Sequence, residues 1–170
     1  MLPLLYVDGY NVIGAWNEMQ KHPMDISQAR DRLIALLEDY AGYTAQEVIL
    51  VFDGHLGDRA TASIERRQGL TVVFTKHGQT ADQYIERECG QTPSYREVRV
   101  ATSDHLEQTL ILGRGATRLS SRELWGELSA QRHHLRSNHV AQPVPAKTPL
   151  LGNLTEEQLL ALEEIRRRKD

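Results

Sequence analysis

Four short runs of apolar residues, rich in β-branched side chains, divide the first hundred positions: Leu4–Val7, Val48–Phe52, Leu70–Phe74 and Val98–Ala101. They are continuous rather than alternating, the pattern of strands buried on both faces of a parallel sheet. Between them the period lengthens. Ala29, Leu33, Leu36, Leu37 and Tyr40 recur at i, i+4, i+7, i+8 and i+11, which predicts a helix over 26–40 that Asp25 caps and Gly42 closes. A helix over 81–89 follows from the Thr80 cap and the Gly90 stop, and another over 105–112 from Asp104 and Gly113. Ser120-x-x-Glu123 is a capping box that starts a helix running to about His134, after a short fifth strand near Ala116–Leu119. Alternating strands and helices predict an α/β fold of three layers, a central parallel sheet of four to five strands flanked by helices.

The pattern stops after about residue 137. Residues 138–154 contain Pro143, Pro145 and Pro149 without periodicity and read as an extended linker. Residues 155–170 read as a final amphipathic helix, capped by Thr155, with Leu159, Leu162 and Ile165 on one face. The expected organisation is thus a domain over 1–137, a linker and a C-terminal helix.

Composition narrows the class. A chain of 170 residues with 40% hydrophobic and 25% charged residues has the size and balance of one globular domain. No unbroken apolar run is longer than Val48–Phe52, so neither a membrane span nor a secretory leader is expected. The single Cys89 suits a reducing compartment, and the expectation is a cytoplasmic protein. The net charge of -3 is unevenly spread: residues 1–113 carry 10 Lys and Arg against 16 Asp and Glu, and residues 114–170 carry 10 against 7. An acidic site beside a basic, phosphate-tracking surface would produce such a split, as would ordinary solvated charge.

The acids are placed with a rule. Ligands of parallel sheets bind outside the carboxyl ends of the strands. Asp8 follows the first strand, Asp53 the second and Asp104 the fourth, while Asp82 opens the helix after the third. A single Asp there is adequately explained as a cap or a turn residue. Acids after every strand are not, and clustered carboxylates that stay ionised call for a hard cation, magnesium or manganese rather than zinc. Glu86 lies one turn beyond Asp82 and reads as an exposed helical acid. Tyr10 stands two residues after Asp8, where an Asp-x-Asp phosphatase would need a second acid.

The motifs Asp8-Gly9-Tyr10-Asn11-Val12-Ile13-Gly14-Ala15-Trp16, Phe52-Asp53-Gly54-His55, Phe74-Thr75-Lys76 with Thr80-Ala81-Asp82, and Ala101-Thr102-Ser103-Asp104 resemble, in order and spacing, the NYN domain of the PIN-like nuclease superfamily. Gly113-Arg114-Gly115-Ala116 and Ser121-Arg122-Glu123-Leu124 are similar to its bacterial YacP-like branch, whose members include a ribosome-associated endoribonuclease of mRNA. The resemblance runs from residue 2 to about 137 and more weakly into the final helix. It implies a PIN-like fold and magnesium-dependent cleavage of RNA, with manganese as a substitute, Asp8 and Asp82 as the principal ligands and Asp104 as a third. Asp53 matches the pattern too, either near the metal or orienting Asn11 or a water. Asn11 and Ser103 are neutral groups suited to holding a water or a phosphate oxygen.

Two-ion hydrolysis of a phosphodiester leaves 5′-phosphate and 3′-hydroxyl ends. Lys76, Arg114, Arg118, Arg122, Arg132 and Arg136 are the candidates for gripping RNA, with Arg118 and Arg122, and Arg132 and Arg136, expected one helical turn apart. The expected partners are mRNA and the ribosome, with no membrane and no nucleotide cofactor. Trp125, between Leu124 and Leu128, reads as core rather than as a stacking platform. A metal-free reading through His133 and His134 suffers because neighbours on a helix point about 100° apart. A non-catalytic RNA- or ribosome-binding module is the reading from another class, and the intact acids count against it.

Overall fold

The computed structural model describes residues 1–20, 22, 24–54, 61–102 and 115–140, the side chains of 135–140 excepted. Residues 1–132 form one compact unit, and residues 133–170 a second of which only the end of one helix is described. The elements in chain order are β1 (Leu4–Asp8), α1 (Gly9–Met19), α2 (Ile26–Thr44), β2 (Glu47–Phe52), β3 (Ser63–Arg66), β4 (Leu70–Phe74), α3 (Ala81–Gln91), β5 (Val98–Ala101), β6 (Thr117–Leu119) and α4 (Ser121–Val140). The six strands form one sheet in the order β3-β4-β2-β1-β5-β6, parallel throughout except for β3 against β4.

Every strand read from an apolar run is present. The strand that was not read, β3, is an edge segment with three of its four residues exposed, so no core pattern marks it. It is held as a hairpin, where Arg67 N–H donates to Leu70 O at 2.8 Å across Gly69. The unread helix α1 begins at Gly9, in a stretch whose Asp-Gly start resembles a turn. Its buried residues Gly9, Val12, Ile13 and Trp16 nonetheless follow i, i+3, i+4 and i+7.

Two expected helix ends also move. α2 passes through Gly42 and stops at Ala45, whose φ of 50° is left-handed, because Tyr40 and Ala41 pack into the core and outweigh the cost of about 1 kcal/mol for a helical glycine. α3 passes through Gly90 and stops at Thr92, whose N–H caps Glu88 O and Cys89 O at 3.1 and 3.2 Å, just before Pro93. α4 runs to Val140, beyond His134 and into the first residues assigned to the linker. The expected helix over 105–112, the rest of the linker and the helix over 155–170 lie outside the described residues.

The period of two along β1 divides the core. Leu5 and Val7 join Val12, Trp16, Leu33, Leu37, Leu124 and Trp125 on the face covered by α1, α2 and α4. Leu4 and Tyr6 join Ala81, Tyr84 and Ile85 on the α3 face, which completes the three layers. Trp16 and Trp125 lie 4.4 Å apart, and Trp125 Nε1 donates to Val12 O at 3.0 Å, so Trp125 is a core residue that ties α4 to α1. Arg99 on β5 pairs with Glu127 on α4 at 2.6 Å, and Tyr40 donates to the same carboxylate at 2.7 Å. Among the described residues no helix is long and apolar enough to cross a membrane.

The register decides what leaves the sheet together. Asp8 pairs with Val51, and Phe52 with Phe74, so at the carboxyl edge Gly9 follows level with Phe52, and Asp53 leaves the sheet beside Thr75. A Cβ on Gly9 would lie 2.2 Å from the ring of the fully buried Phe52, so only glycine lets α1 start this close to β2. Gly9→Ala is expected to destabilise the protein by about 1–3 kcal/mol through overpacking. Urea unfolding measures this, and an unchanged midpoint would contradict the tight approach.

Candidate active site

Asp8 is both the last residue of β1 and the N-cap of α1, its Oδ1 accepting from Asn11 N–H at 3.1 Å. This fixes the carboxylate at the carboxyl end of the strand where the chain later crosses from one half of the sheet to the other, between β1 and β5. Asn11 is fixed in turn: its Oδ1 accepts from the hydroxyl of Ser121, buried at the first position of α4, at 2.9 Å. Asn11 is thus tied through its backbone N–H to Asp8 and through its side chain to Ser121.

Asp82 lies in the first turn of α3 and faces Asp8. Thr80 caps that helix with a reciprocal box to Gln83, in which Thr80 Oγ1 accepts at 3.2 Å from Gln83 N–H. Asp53 accepts from the N–H of Ala81, so its carboxylate holds the start of α3 in place. Thr75, fully buried, accepts from Gly54 N–H at 2.9 Å and donates to Gln79 O at 2.6 Å, which locks the β2 and β4 ends to the same helix start. Gly54 has to be glycine there, since a Cβ would meet Thr75 O at 1.9 Å.

Electrostatics set the character of the pair. Burial, joined by the charges of Asp82 and Asp53 and by the facing Asp82 carboxyl, raises Asp8 from 3.8 to about 7, against the lowering effect of the Asn11 N–H. Asp82 Oδ1 is buried with no hydrogen-bond partner. Two facing carboxylates, one reluctant to ionise and one with an unsatisfied buried oxygen, form a donor set that a hard divalent cation would complete. Among the described residues no group of three His, Cys, Asp or Glu side chains is gathered closely enough to hold a metal. Asp104 and Ser103, expected on the fourth strand end, lie outside the described residues. Glu86 is exposed, as read.

With this geometry in view, the comparisons with known proteins are specific. The profile of the YacP-like NYN domain matches residues 5–167. The chain belongs to the YacP-like NYN domain family. It is 37% identical over 173 residues to the uncharacterized protein YacP of Bacillus subtilis (strain 168), with 98% of each chain covered. Its fold matches the crystal structure of Rae1 (YacP) from Bacillus subtilis with a TM-score of 0.67 at 36% identity, covering 98% of this chain and 95% of that one. A crystal structure of a point mutant of the same protein matches with a TM-score of 0.66 at 36% identity, covering 85% and 86%. The NYN profile extends beyond residue 137 and takes in the segments read as linker and final helix. Membership in an NYN family points to a nuclease of PIN-like type.

The basic residues of this NYN chain are less regular than expected. Arg118 is on strand β6 and Arg122 on α4, so the two are not one helical turn apart; the extended chain before Ser120 breaks the register. Arg118 is half-buried with its Nε unsatisfied, whereas Lys76, Arg122 and Arg132 are exposed. Arg132 and Arg136 do share α4, but the Arg136 side chain and all of Arg114 lie outside the described residues. Ser121 and Thr75 stand in the family motifs, but sequence assigns them no role; the bonds Ser121 to Asn11 and Gly54 to Thr75 join distant segments, which no local pattern reports.

A pH dependence follows from Asp8. Since its folded value is raised, protonated Asp8 favours the fold, and that stability is complete below pH 3.8 and lost as pH rises through 7. Asp8→Asn in metal-free buffer is therefore expected to melt higher than wild type at pH 8 and to lose that advantage by pH 4. At about 1.4 kcal/mol per unit the gain at pH 8 is at most about 4 kcal/mol. Thermal unfolding of both proteins at the two pH values checks the sign.

Proposed function

We propose that this protein is a metal-dependent endoribonuclease that cuts mRNA on the ribosome in the cytoplasm. The observation that carries the reading is the facing of Asp8 and Asp82 across the carboxyl edge of the sheet, with the buried Asp82 Oδ1 lacking a partner. Asp8 and Asp82 would hold magnesium, or manganese in its place, with Asp104 as the third ligand. When bound, such an ion supplies positive charge that draws electron density from the attacked phosphodiester and stabilises the departing 3′ oxygen.

The chain's own residues do the rest. Asp8 and Asp82 set the place of the charge because a strand end and a helix start fix them. Asp53 keeps α3, and with it Asp82, at its distance from β1. Ser121 holds the Asn11 amide in one orientation beside Asp8, where Asn11 positions a water or a phosphate oxygen. Lys76, Arg114, Arg118, Arg122, Arg132 and Arg136 supply phosphate contacts, which position the strand without reading its sequence. The ribosome and the message enter through the resemblance of the sequence to the YacP-like branch, supported by the basic balance of residues 114–170.

Three outcomes test the reading. Asp8→Asn and Asp82→Asn are each expected to lower cleavage of a translated message by at least about 100-fold while remaining folded; wild-type rates in either would remove the pair from the site. EDTA is expected to stop cleavage and magnesium or manganese to restore it, with 5′-phosphate and 3′-hydroxyl ends by end-labelling; cyclic phosphates formed in EDTA would instead implicate His133 or His134. Replacing Arg118, Arg122, Arg132 and Arg136 by Glu is expected to abolish co-sedimentation with ribosomes. Ribosome binding without cleavage by the wild type would identify a non-catalytic module.

A further inference from the structure

A cleft of about 380 Å³ is lined by Asp53, the acid whose charge acts on Asp8. Tyr10 from the first turn of α1, Phe74 from the end of β4, Arg30 and Asp31 from α2, and Arg67 after β3 also line it. Phe52, fully buried, packs under both aromatics: its ring centroid lies 5.0 Å from Tyr10 and 5.4 Å from Phe74, the latter stacked at 20°. That support makes Tyr10 and Phe74, both half-buried, rigid platforms rather than mobile surface rings. The guanidinium of Arg30 sits 5.8 Å from the Phe74 centroid.

The charges argue against a phosphate in this cleft. Arg67 is engaged by Glu65 at 2.8 Å and Glu38 at 3.4 Å, and Arg30 lies 4.0 Å from Asp31. Asp53 adds a further negative charge, so the lining offers an anion little attraction. What it does offer is two aromatic faces and a planar guanidinium, the surfaces on which unpaired bases stack. The volume lies in the range of small-molecule sites, about 300 Å³ and upward.

We propose that this cleft is a subsite for one unpaired nucleobase of single-stranded RNA, packed against Tyr10 and Phe74 with Arg30 along its edge, in the nucleotide next to the phosphodiester presented to Asp8 and Asp82. The assignment rests on the ribonuclease reading for its placement, and its test does not require cleavage. A base held here fixes the strand's register by one position, and a duplex, whose bases are stacked and paired, cannot fill it.

The experiment is an NMR titration of the intact protein in EDTA with three probes: ribose 5-phosphate, adenosine 5′-monophosphate and a single-stranded adenosine trinucleotide. The mononucleotide is expected to shift the ring signals of Tyr10 and Phe74, ribose 5-phosphate to leave them unmoved, and the trinucleotide to bind at least about 10-fold more tightly than the mononucleotide through its added phosphate contacts. Phe74→Leu is expected to weaken mononucleotide binding about 10-fold, and Arg30→Gln, at a half-buried side chain on α2, to weaken it in the same direction. Equal binding of ribose 5-phosphate and the mononucleotide, shifts that leave Tyr10 and Phe74 silent, or no binding at all would overturn the subsite. A trinucleotide no tighter than the mononucleotide would make it a site for free nucleotides and overturn the RNA assignment. Base-dependent binding by a protein that cleaves nothing would leave the subsite standing and count against the nuclease reading alone.

Discussion

Two carboxylates brought face to face in a partly buried position are the constraint on which the rest of this structure turns. Asp8 and Asp82 repel when both are ionised, and burial denies them the water that would screen the repulsion. Left alone, such a pair would relax by moving apart or by holding a proton between them. Hydrogen bonds to Asp8 and to the start of α3 oppose the first, and burial with the neighbouring carboxylates raises Asp8 to about 7. A hard cation, as proposed, would satisfy the same pair without a proton.

The surroundings of the pair are built to keep it from separating. Asp8 is tied to α1 through Asn11 N–H, and Asn11 to α4 through Ser121. On the opposite side Asp53 accepts from Ala81 N–H, and Thr75 accepts from Gly54 N–H and donates to Gln79 O, so the ends of β2 and β4 together pin the start of α3. Gly9 and Gly54 let these segments approach at distances no side chain would tolerate. The strain of like charge is thus carried by the parallel sheet and its helix starts rather than by flexible loops.

Most of the architecture was legible because buried parallel strands announce themselves as unbroken apolar runs, and β1, β2, β4 and β5 all did. What escaped had a physical reason in each case. β3 is an exposed edge with no core face to encode, and α1 starts with Asp-Gly, whose turn chemistry masks a helical period. Gly42 and Gly90 read as helix stops, but core packing on one side and the Thr92 cap on the other carried both helices through. The strand-end rule placed Asp8, Asp53 and Asp82 at one edge, but it did not show that Asp8 faces Asp82 or that Asp53 Oδ1 accepts from Ala81 N–H. Neither could sequence reveal that Tyr10, Phe74 and Arg30, from three elements, line one cleft.

The central claim, that Asp8 and Asp82 act together as a cation site, is tested most directly by manganese binding followed by EPR as a function of pH. A proton and a cation compete for the same carboxylates, so affinity is expected to fall about 10-fold for each pH unit below 7 and to be lost in Asp82→Asn. Binding that is independent of pH between 5 and about 7, or that survives intact in Asp82→Asn, would contradict the account.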